Sequence, residues 1–354
     1  MIEAKTMKGV VLLGDRQVEV REFPVPHAGP GEVVVKITAA AICGSDYLFY
    51  ITPQEIFANL GGISGHEPAG VVAETGEGVS NVKVGDRVAL YHYTGCGTCE
   101  HCLSGNIQHC SNRLGLGWKL DGSNAEYIRM PAANCLLLPE ELSDEDGTFI
   151  ACIAGTTYSA LKKLQVSGRD ILAVYGLGPV GLTAVMLAKA MGAVVIGIEQ
   201  NDYRLEFARK LGADYLIDSK KEDMYERIME ITGGVGAEKS IECSGSNVLR
   251  KMTAKAASIE GKICLVGNSE GIMNDKEELL AHFDQRFIIR KELTICGSYV
   301  MPRGMYPELA RFLVRKGVHL DDMVTHRFKL DDAAEAFRLF GTGNTGKVMF
   351  RFDE

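Results

Sequence analysis

The apolar positions along this chain follow two different patterns, and the change falls near Thr156. Before it, short β-type runs recur at Val10–Leu13, Val18–Val20, Glu32–Ile37, Ala69–Ala73 and Arg87–Leu90, separated by clusters of Gly, Pro and Asp. Short runs punctuated in this way predict a mainly β unit. After it, compact apolar runs at Ile171–Tyr175, Val194–Glu199, Tyr215–Ile217, Lys239–Glu242 and Lys262–Val266 alternate with helical stretches at Gly181–Met191, Asp202–Leu211 and Met224–Thr232. Strand–helix alternation of this kind predicts an α/β unit with a parallel, doubly wound sheet. A helix over Met305–Lys316, a helical stretch over Asp331–Leu339 and a closing strand over Gly346–Phe352 are expected to return to the first unit. Met1–Thr6 reads as a short extension. No repeat and no low-complexity segment interrupts this plan.

Ile171–Ile198 is apolar enough to raise the question of a membrane span, with Lys189 as its only charge. Gly176, Gly178, Pro179 and Gly181 break it, and it divides into strand, turn, helix and strand. A length of 354 residues suits two domains, each able to bury its own core. The formal net charge of −8 argues against a nucleic-acid groove or an anionic membrane surface as partner. The first residues lack a basic stretch followed by an apolar core, so a cytoplasmic protein is expected.

Cysteine placement then sharpens the picture. Cys96, Cys99, Cys102 and Cys110 form a C-x2-C-x2-C-x7-C run among Gly95, Gly97, Gly105 and Asn106. Four thiols at such spacings suit one closed, tetrahedral zinc site of structural type. Disulfides are the competing explanation, but they belong to small secreted domains. His101 and His109 lie inside this lobe and read as surface residues, because four cysteines already complete a shell. The other cysteines, Cys43, Cys135, Cys152, Cys243, Cys264 and Cys296, are dispersed, as suits a reducing compartment.

Gly176-Leu-Gly178-Pro179-Val180-Gly181 follows the expected strand Ile171–Tyr175 and opens a helix. That context turns a weak glycine pattern into a dinucleotide-binding one. Gly176 permits the tight turn, Gly178 lets a pyrophosphate approach the backbone, and Gly181 lets helix and strand pack closely. The helix N-terminus offers free N–H groups to the phosphates. Glu199, at the end of the next strand, is expected to accept from the adenosine ribose hydroxyls and to repel a 2′-phosphate, which favours NAD over NADP. Arg204 is expected to flank the adenosine.

Cys43-Gly-Ser45-Asp46 and Gly65-His66-Glu67 are unremarkable in isolation. Together with the four-cysteine lobe, Gly65–Val72 (GHEPAGVV), Val84–Val88 (VGDRV) and Tyr175–Leu182 (YGLGPVGL), they make the whole chain resemble the zinc-dependent medium-chain dehydrogenases, the alcohol and polyol dehydrogenase family. The resemblance implies a mainly β GroES-like catalytic domain over residues 1–155 and 297–354, carrying the zinc lobe at about 93–113, and a Rossmann NAD-binding domain over 156–296. It implies two zinc ions per chain and NAD. It also implies that Cys43 and His66 bind a catalytic zinc, with Cys152, in the segment Cys152–Leu161, as third ligand and Glu67 as an alternative. Asp46 is then expected to fix the His66 imidazole, or to cap the helix that starts there, or both. Ser45 is expected to take the alcohol proton while a hydride passes to the nicotinamide.

One departure from the family stands out: Leu48 occupies the place where many members carry a His that passes the proton on. The expected reaction is reversible oxidation of a secondary alcohol on a small polyhydroxylated substrate, with simple alcohols or threonine as alternatives. Tyr47, Phe49, Tyr50, Phe57, Trp118 and Tyr299 are candidates for the pocket wall, each equally able to be core or subunit contact. A homodimer or homotetramer is implied. A rival of a different class is an NAD(H)-binding sensor that keeps only the structural zinc.

Overall fold

The computed structural model describes residues 4–57, 62–267 and 283–352. The chain divides into two compact units, one formed by residues up to Gly155 together with those from Met301 onward, the other by Thr156–Val300.

The first unit is mainly β. Its N-terminal strands are β1 (Thr6–Gly14), β2 (Gln17–Pro24), β3 (Glu32–Ala41), β4 (Glu67–Thr75), β5 (Arg87–Leu90), β6 (Tyr93–Thr94), β7 (Leu114–Gly115), β8 (Tyr127–Pro131) and β9 (Cys135–Leu137). β1 and β2 form an antiparallel hairpin. β3 is the hub of the larger sheet: it pairs along its length with β4 and along its first half with β8, both antiparallel. Val33, Val35 and Ile37 alternate onto a face that packs with Val72, Val88, Leu90, Ile128 and Met130, all buried. That alternation is what a strand with one core face requires.

The second unit holds six parallel strands, β10 (Ile171–Tyr175), β11 (Val194–Glu199), β12 (Tyr215–Asp218), β13 (Ala237–Glu242), β14 (Ala257–Leu265) and β15 (Thr294–Gly297), in the spatial order β12-β11-β10-β13-β14-β15. Strand order reverses between β10 and β13, which is the switch point where open α/β sheets bind ligands at their carboxyl ends. Ala173, Tyr175, Ile196, Ile198, Ile217 and Ile228 form the core on one side. The doubly wound, parallel architecture expected from the sequence is the one observed. β15 was not expected, because its four residues are exposed or half-buried and leave no apolar run.

Back in the first unit, β16 (Val324–Phe328) pairs with β17 (Lys347–Arg351), and β17 pairs antiparallel with the end of β3. The helix Ala333–Phe340 covers this end, where Ala333, Ala336 and Phe337 pack against Ile42, Tyr50, Val348 and Phe350. β17 thereby sets Lys347 beside the segment that follows β3. Among the described residues, no helix is long and apolar enough to cross a membrane.

Candidate metal centre and dinucleotide loop

β3 ends at Ala41 and the chain turns at Cys43 into the helix Gly44–Ile51. Cys43 is extended (φ −100°, ψ 158°), and its backbone N–H donates to Asp46 Oδ2 at 2.9 Å, so Asp46 closes a capping box at this helix start. The other oxygen of Asp46 lies 2.9 Å from His66 Nδ1, with both side chains buried. One carboxylate therefore fixes the helix entry and the imidazole together. Nδ1 donates to Asp46, which turns His66 Nε2 toward the neighbouring sulfur and hydroxyl groups. Gly65, just before it, has φ +91°, and a Cβ there would overlap the Asn124 amide. Only glycine delivers His66 into this position.

His66 Nε2 lies 3.7 Å from Cys152 Sγ and 3.4 Å from Ser45 Oγ, and Cys43 Sγ lies 3.9 Å from Cys152 Sγ. Cys152 is carried on a π-helical stretch, Ile150–Ala154, a local form frequent at functional sites. Tetrahedral zinc with ordinary bond lengths requires sulfur–sulfur spacings of about 3.8 Å and sulfur–nitrogen spacings of about 3.6 Å. The donor set matches both. Ligand atoms from Cys43, His66, Glu67 and Cys152 all fall within 4.8 Å of one another. The Cys43 thiol is held well below its usual range by the hydrogen bond with Cys152, which is itself pushed up by that contact. Burial opposes the His66 cation, yet Asp46 and the Cys43 thiolate together hold its pKa well above the ordinary value. Burial also raises Glu67, to about 7.

The four cysteines of the lobe form a second group with ligand atoms within 4.8 Å, and Cys96 Sγ lies 4.0 Å from Cys102 Sγ. Backbone N–H groups of Cys96 and Cys99 point at the sulfurs of Cys110 and Cys96, at 3.5 and 3.4 Å. His101 and His109 are exposed. A third group, Asp146, His319 and Asp321, differs in kind. The Asp146 oxygens already accept from the backbone N–H groups of Ser143 and Asp321, at 2.9 and 3.0 Å, so it acts as a helix cap.

In the second unit, Gly176 has φ +87°, and a Cβ on Gly181 would overlap the Gly176 carbonyl oxygen. A Cβ on Gly178 would meet nothing within 4 Å, so this backbone is open to a pyrophosphate. Gly178 caps the helix Pro179–Ala190 without a side-chain hydrogen bond, and Pro179 and Val180 form its first turn. The loop after β13 meets the glycine loop, since Gly176 abuts Ser244. Glu199 is turned into this region: its Oε2 accepts from Leu177 N at 2.9 Å and its Oε1 from Gln200 N at 2.7 Å. Arg204 Nη1 stands 3.8 Å from Glu199. Glu199 thus braces the glycine loop, and a carboxylate with about four acceptor sites retains capacity for a ribose hydroxyl.

Residues 179–315 match the zinc-binding dehydrogenase family model, and residues 29–140 match the alcohol dehydrogenase GroES-like domain. The chain is 35% identical to L-threonine 3-dehydrogenase of Pyrococcus horikoshii, across 94% of this chain and 94% of that one. The chain belongs to the zinc-binding, GroES-like alcohol dehydrogenase family. It is also 32% identical to sorbitol dehydrogenase of Halalkalibacterium halodurans, across 93% and 94% of the two chains. The crystal structure of a short chain alcohol dehydrogenase from E. coli CFT073 complexed with NADH superposes with a TM-score of 0.88 at 29% identity, covering 99% of this chain and 100% of that one. The protein is therefore an oxidoreductase of the alcohol dehydrogenase type, with zinc and a nicotinamide dinucleotide as its cofactors.

Two of the aromatic pocket-wall candidates lie near the dehydrogenase's metal cluster, together with His92, which carries no sequence signal. Trp118 stacks on the His66 ring at 5.6 Å with an interplanar angle of 19°, and Phe49 meets Trp118 edge-on at 5.9 Å. Trp118 also lines a cavity of about 580 Å³ with Phe23, Ile63, Lys119 and Arg129. His92 is buried 5.5 Å from His66, and burial pushes its pKa down to about 3, so it is a neutral ring. Tyr47 and Tyr50 take the other option open to them and pack as core against Phe340 and Phe337. Tyr299 is half-exposed. The Phe57 side chain lies outside the described residues.

Proposed function

We propose that the protein is an NAD-linked dehydrogenase that oxidises a secondary alcohol on a small polyhydroxylated substrate, using zinc held by Cys43, His66 and Cys152. The observation that carries this reading is the donor set itself. Two thiols and one imidazole nitrogen stand at tetrahedral-zinc spacings, with the Ser45 hydroxyl 3.4 Å from that nitrogen.

When bound, zinc supplies Lewis acidity toward a substrate oxygen and NAD supplies the hydride acceptor. The chain's own groups do the rest. Asp46 fixes the His66 ring and holds a proton on Nδ1, so Nε2 is the nitrogen presented to a metal. Ser45 Oγ borders the same space, 3.4 Å from His66 Nε2, and can relay the proton that leaves an alcohol. Leu48 has no titratable atom, so it cannot pass the proton on from Ser45. Trp118 and Phe49 offer an apolar wall beside the cluster. The cysteine lobe has a complete thiolate set with no free position, which suits a structural zinc and gives two zinc ions per chain.

Two considerations favour NAD. A carboxylate at the end of β11, Glu199, would repel a 2′-phosphate, and one structural relative was crystallised with NADH. The polyol preference is supported by the relative named for sorbitol, and the secondary-alcohol reading by the relative named for position 3 of L-threonine.

The test is a panel of polyols, sugar acids, cyclitols, L-threonine and simple secondary alcohols with NAD and with NADP, read by the absorbance of the reduced nicotinamide. Metal analysis of the same preparation completes it. Reduction of NAD by a polyol, with two zinc ions per chain, is expected. One zinc per chain and no reduction with any alcohol would leave only an NAD(H)-binding protein.

A further inference from the structure

Lys347, the first residue of β17, is completely buried. Lysine is almost never found so unless paired, because a desolvated ammonium is costly. Its partner is Glu67, equally buried, whose Oε2 it meets as an ion pair. The approach is charge to charge rather than a well-directed hydrogen bond, and Glu67 Oε1 has no hydrogen-bond partner. The Phe149 ring, 5.8 Å from Nζ, closes the space on another side. Glu67 follows His66 directly in the chain, and one of its oxygens lies within 4.8 Å of the ligand atoms of Cys43, His66 and Cys152.

These facts pose a coordination problem. Three protein ligands leave a zinc open to substrate, whereas four close it. A buried carboxylate beside a divalent cation would ordinarily bind it. A fixed positive charge paired with it offers that carboxylate an alternative. We propose that Lys347 is a positioning residue that holds Glu67 in an ion pair and so keeps it out of the fourth position of the metal. The inference rests on Cys43, His66 and Cys152 as the catalytic set. Lys347 touches no reacting atom; it acts through Glu67. Loss of its charge removes the alternative, and the carboxylate becomes the fourth ligand.

The test uses the full-length protein with Co²⁺ in place of zinc, and imidazole as a probe of the open position through the visible absorption of the metal. In the unaltered protein, imidazole shifts the spectrum. Lys347→Met is expected to weaken imidazole binding by about tenfold or more and to slow release of the catalytic metal to a chelator. Adding Glu67→Gln to that variant restores the imidazole response. A folded Lys347→Met protein with unaltered imidazole affinity and metal release would overturn the proposal. Glu67→Gln alone reports without depending on the lysine variant. If Lys347 already holds Glu67 off the metal, imidazole affinity stays within about twofold; a large gain overturns the proposal. An unaltered protein that binds one Co²⁺ and ignores imidazole would instead overturn the catalytic-site reading, and the inference with it.

Discussion

At the scale of single residues, the metal cluster is economical in its use of side chains. Asp46 caps the helix Gly44–Ile51 through one oxygen and orients His66 through the other. Ser45, between Gly44 and Asp46, is held by the same helix start, and its hydroxyl meets His66 Nε2 at 3.4 Å, while the helix start and the His66 tautomer are set by Asp46 and not by Ser45. That makes its removal a clean experiment. In Ser45→Ala the helix keeps its capping box, the His66 tautomer is unchanged and the sulfur donors do not move. Proton removal should then be the step that suffers. Turnover is expected to fall by about a hundredfold or more, the usual worth of a positioned acid–base group, with zinc content unchanged by metal analysis. Wild-type turnover in that variant would take Ser45 out of the reaction.

At the scale of elements, the contact between β10 and the helix Pro179–Ala190 depends on an absent atom. Gly181 sits in the first turn of that helix, facing the Gly176 carbonyl, and any Cβ would overlap it. Gly181→Ala must therefore tilt the helix away from the strand and widen the glycine loop. Overpacking of this kind costs about 1–3 kcal/mol. The expected result is a lower Tm and at least a severalfold loss of NADH affinity by fluorescence titration. Unchanged affinity would separate this glycine from cofactor binding. The same elements show what a sequence reveals. β10 and β11 were expected at Ile171–Tyr175 and Val194–Glu199 and are found there, because continuous apolar runs bounded by glycine leave little choice. β15 and β16 were invisible: each is short, and their exposed or half-buried residues interrupt any run. The metal cluster was legible only through family motifs, Cys43–Asp46, Gly65–Glu67 and the segment Cys152–Leu161, since sequence spacing alone does not bring Cys152 to the other two. Lys347 was missed for a physical reason. A lysine ahead of Val348-Met349-Phe350 reads as a solvated strand start, and only tertiary packing shows that its charge is inside.

At the scale of the molecule, two sites of similar chemistry have opposite requirements: a closed thiolate set must hold its metal for good, and an open one must exchange ligands. The lobe meets the first by burying little of its own, as Cys96 is exposed and Cys99 and Cys102 are only half-buried. With so small an apolar core, its fold must come from metal–thiolate bonds and from ties to the rest of the first unit. Those ties are specific. Arg303 N donates to Gly105 O of the lobe at 2.9 Å, and the same arginine is anchored outside the lobe, where its Nη1 donates to Ala133 O at 2.7 Å; Tyr91 OH, also outside the lobe, holds Met301 O at 2.7 Å. Loss of the lobe's metal should therefore loosen the Met301–Met305 return as well as the lobe. Cys110 is the buried member of the set, and Cys110→Ser is expected to lower zinc content from two to one per chain and Tm by on the order of 10 °C. Because this thiol has no part in the open site, turnover per folded molecule, measured well below the new Tm, should persist. The zinc that remains should be the one whose removal by a chelator abolishes activity. Retention of two zinc ions would show that the lobe is not a metal site. Loss of turnover in the fully folded variant would mean that the closed set takes part in the chemistry.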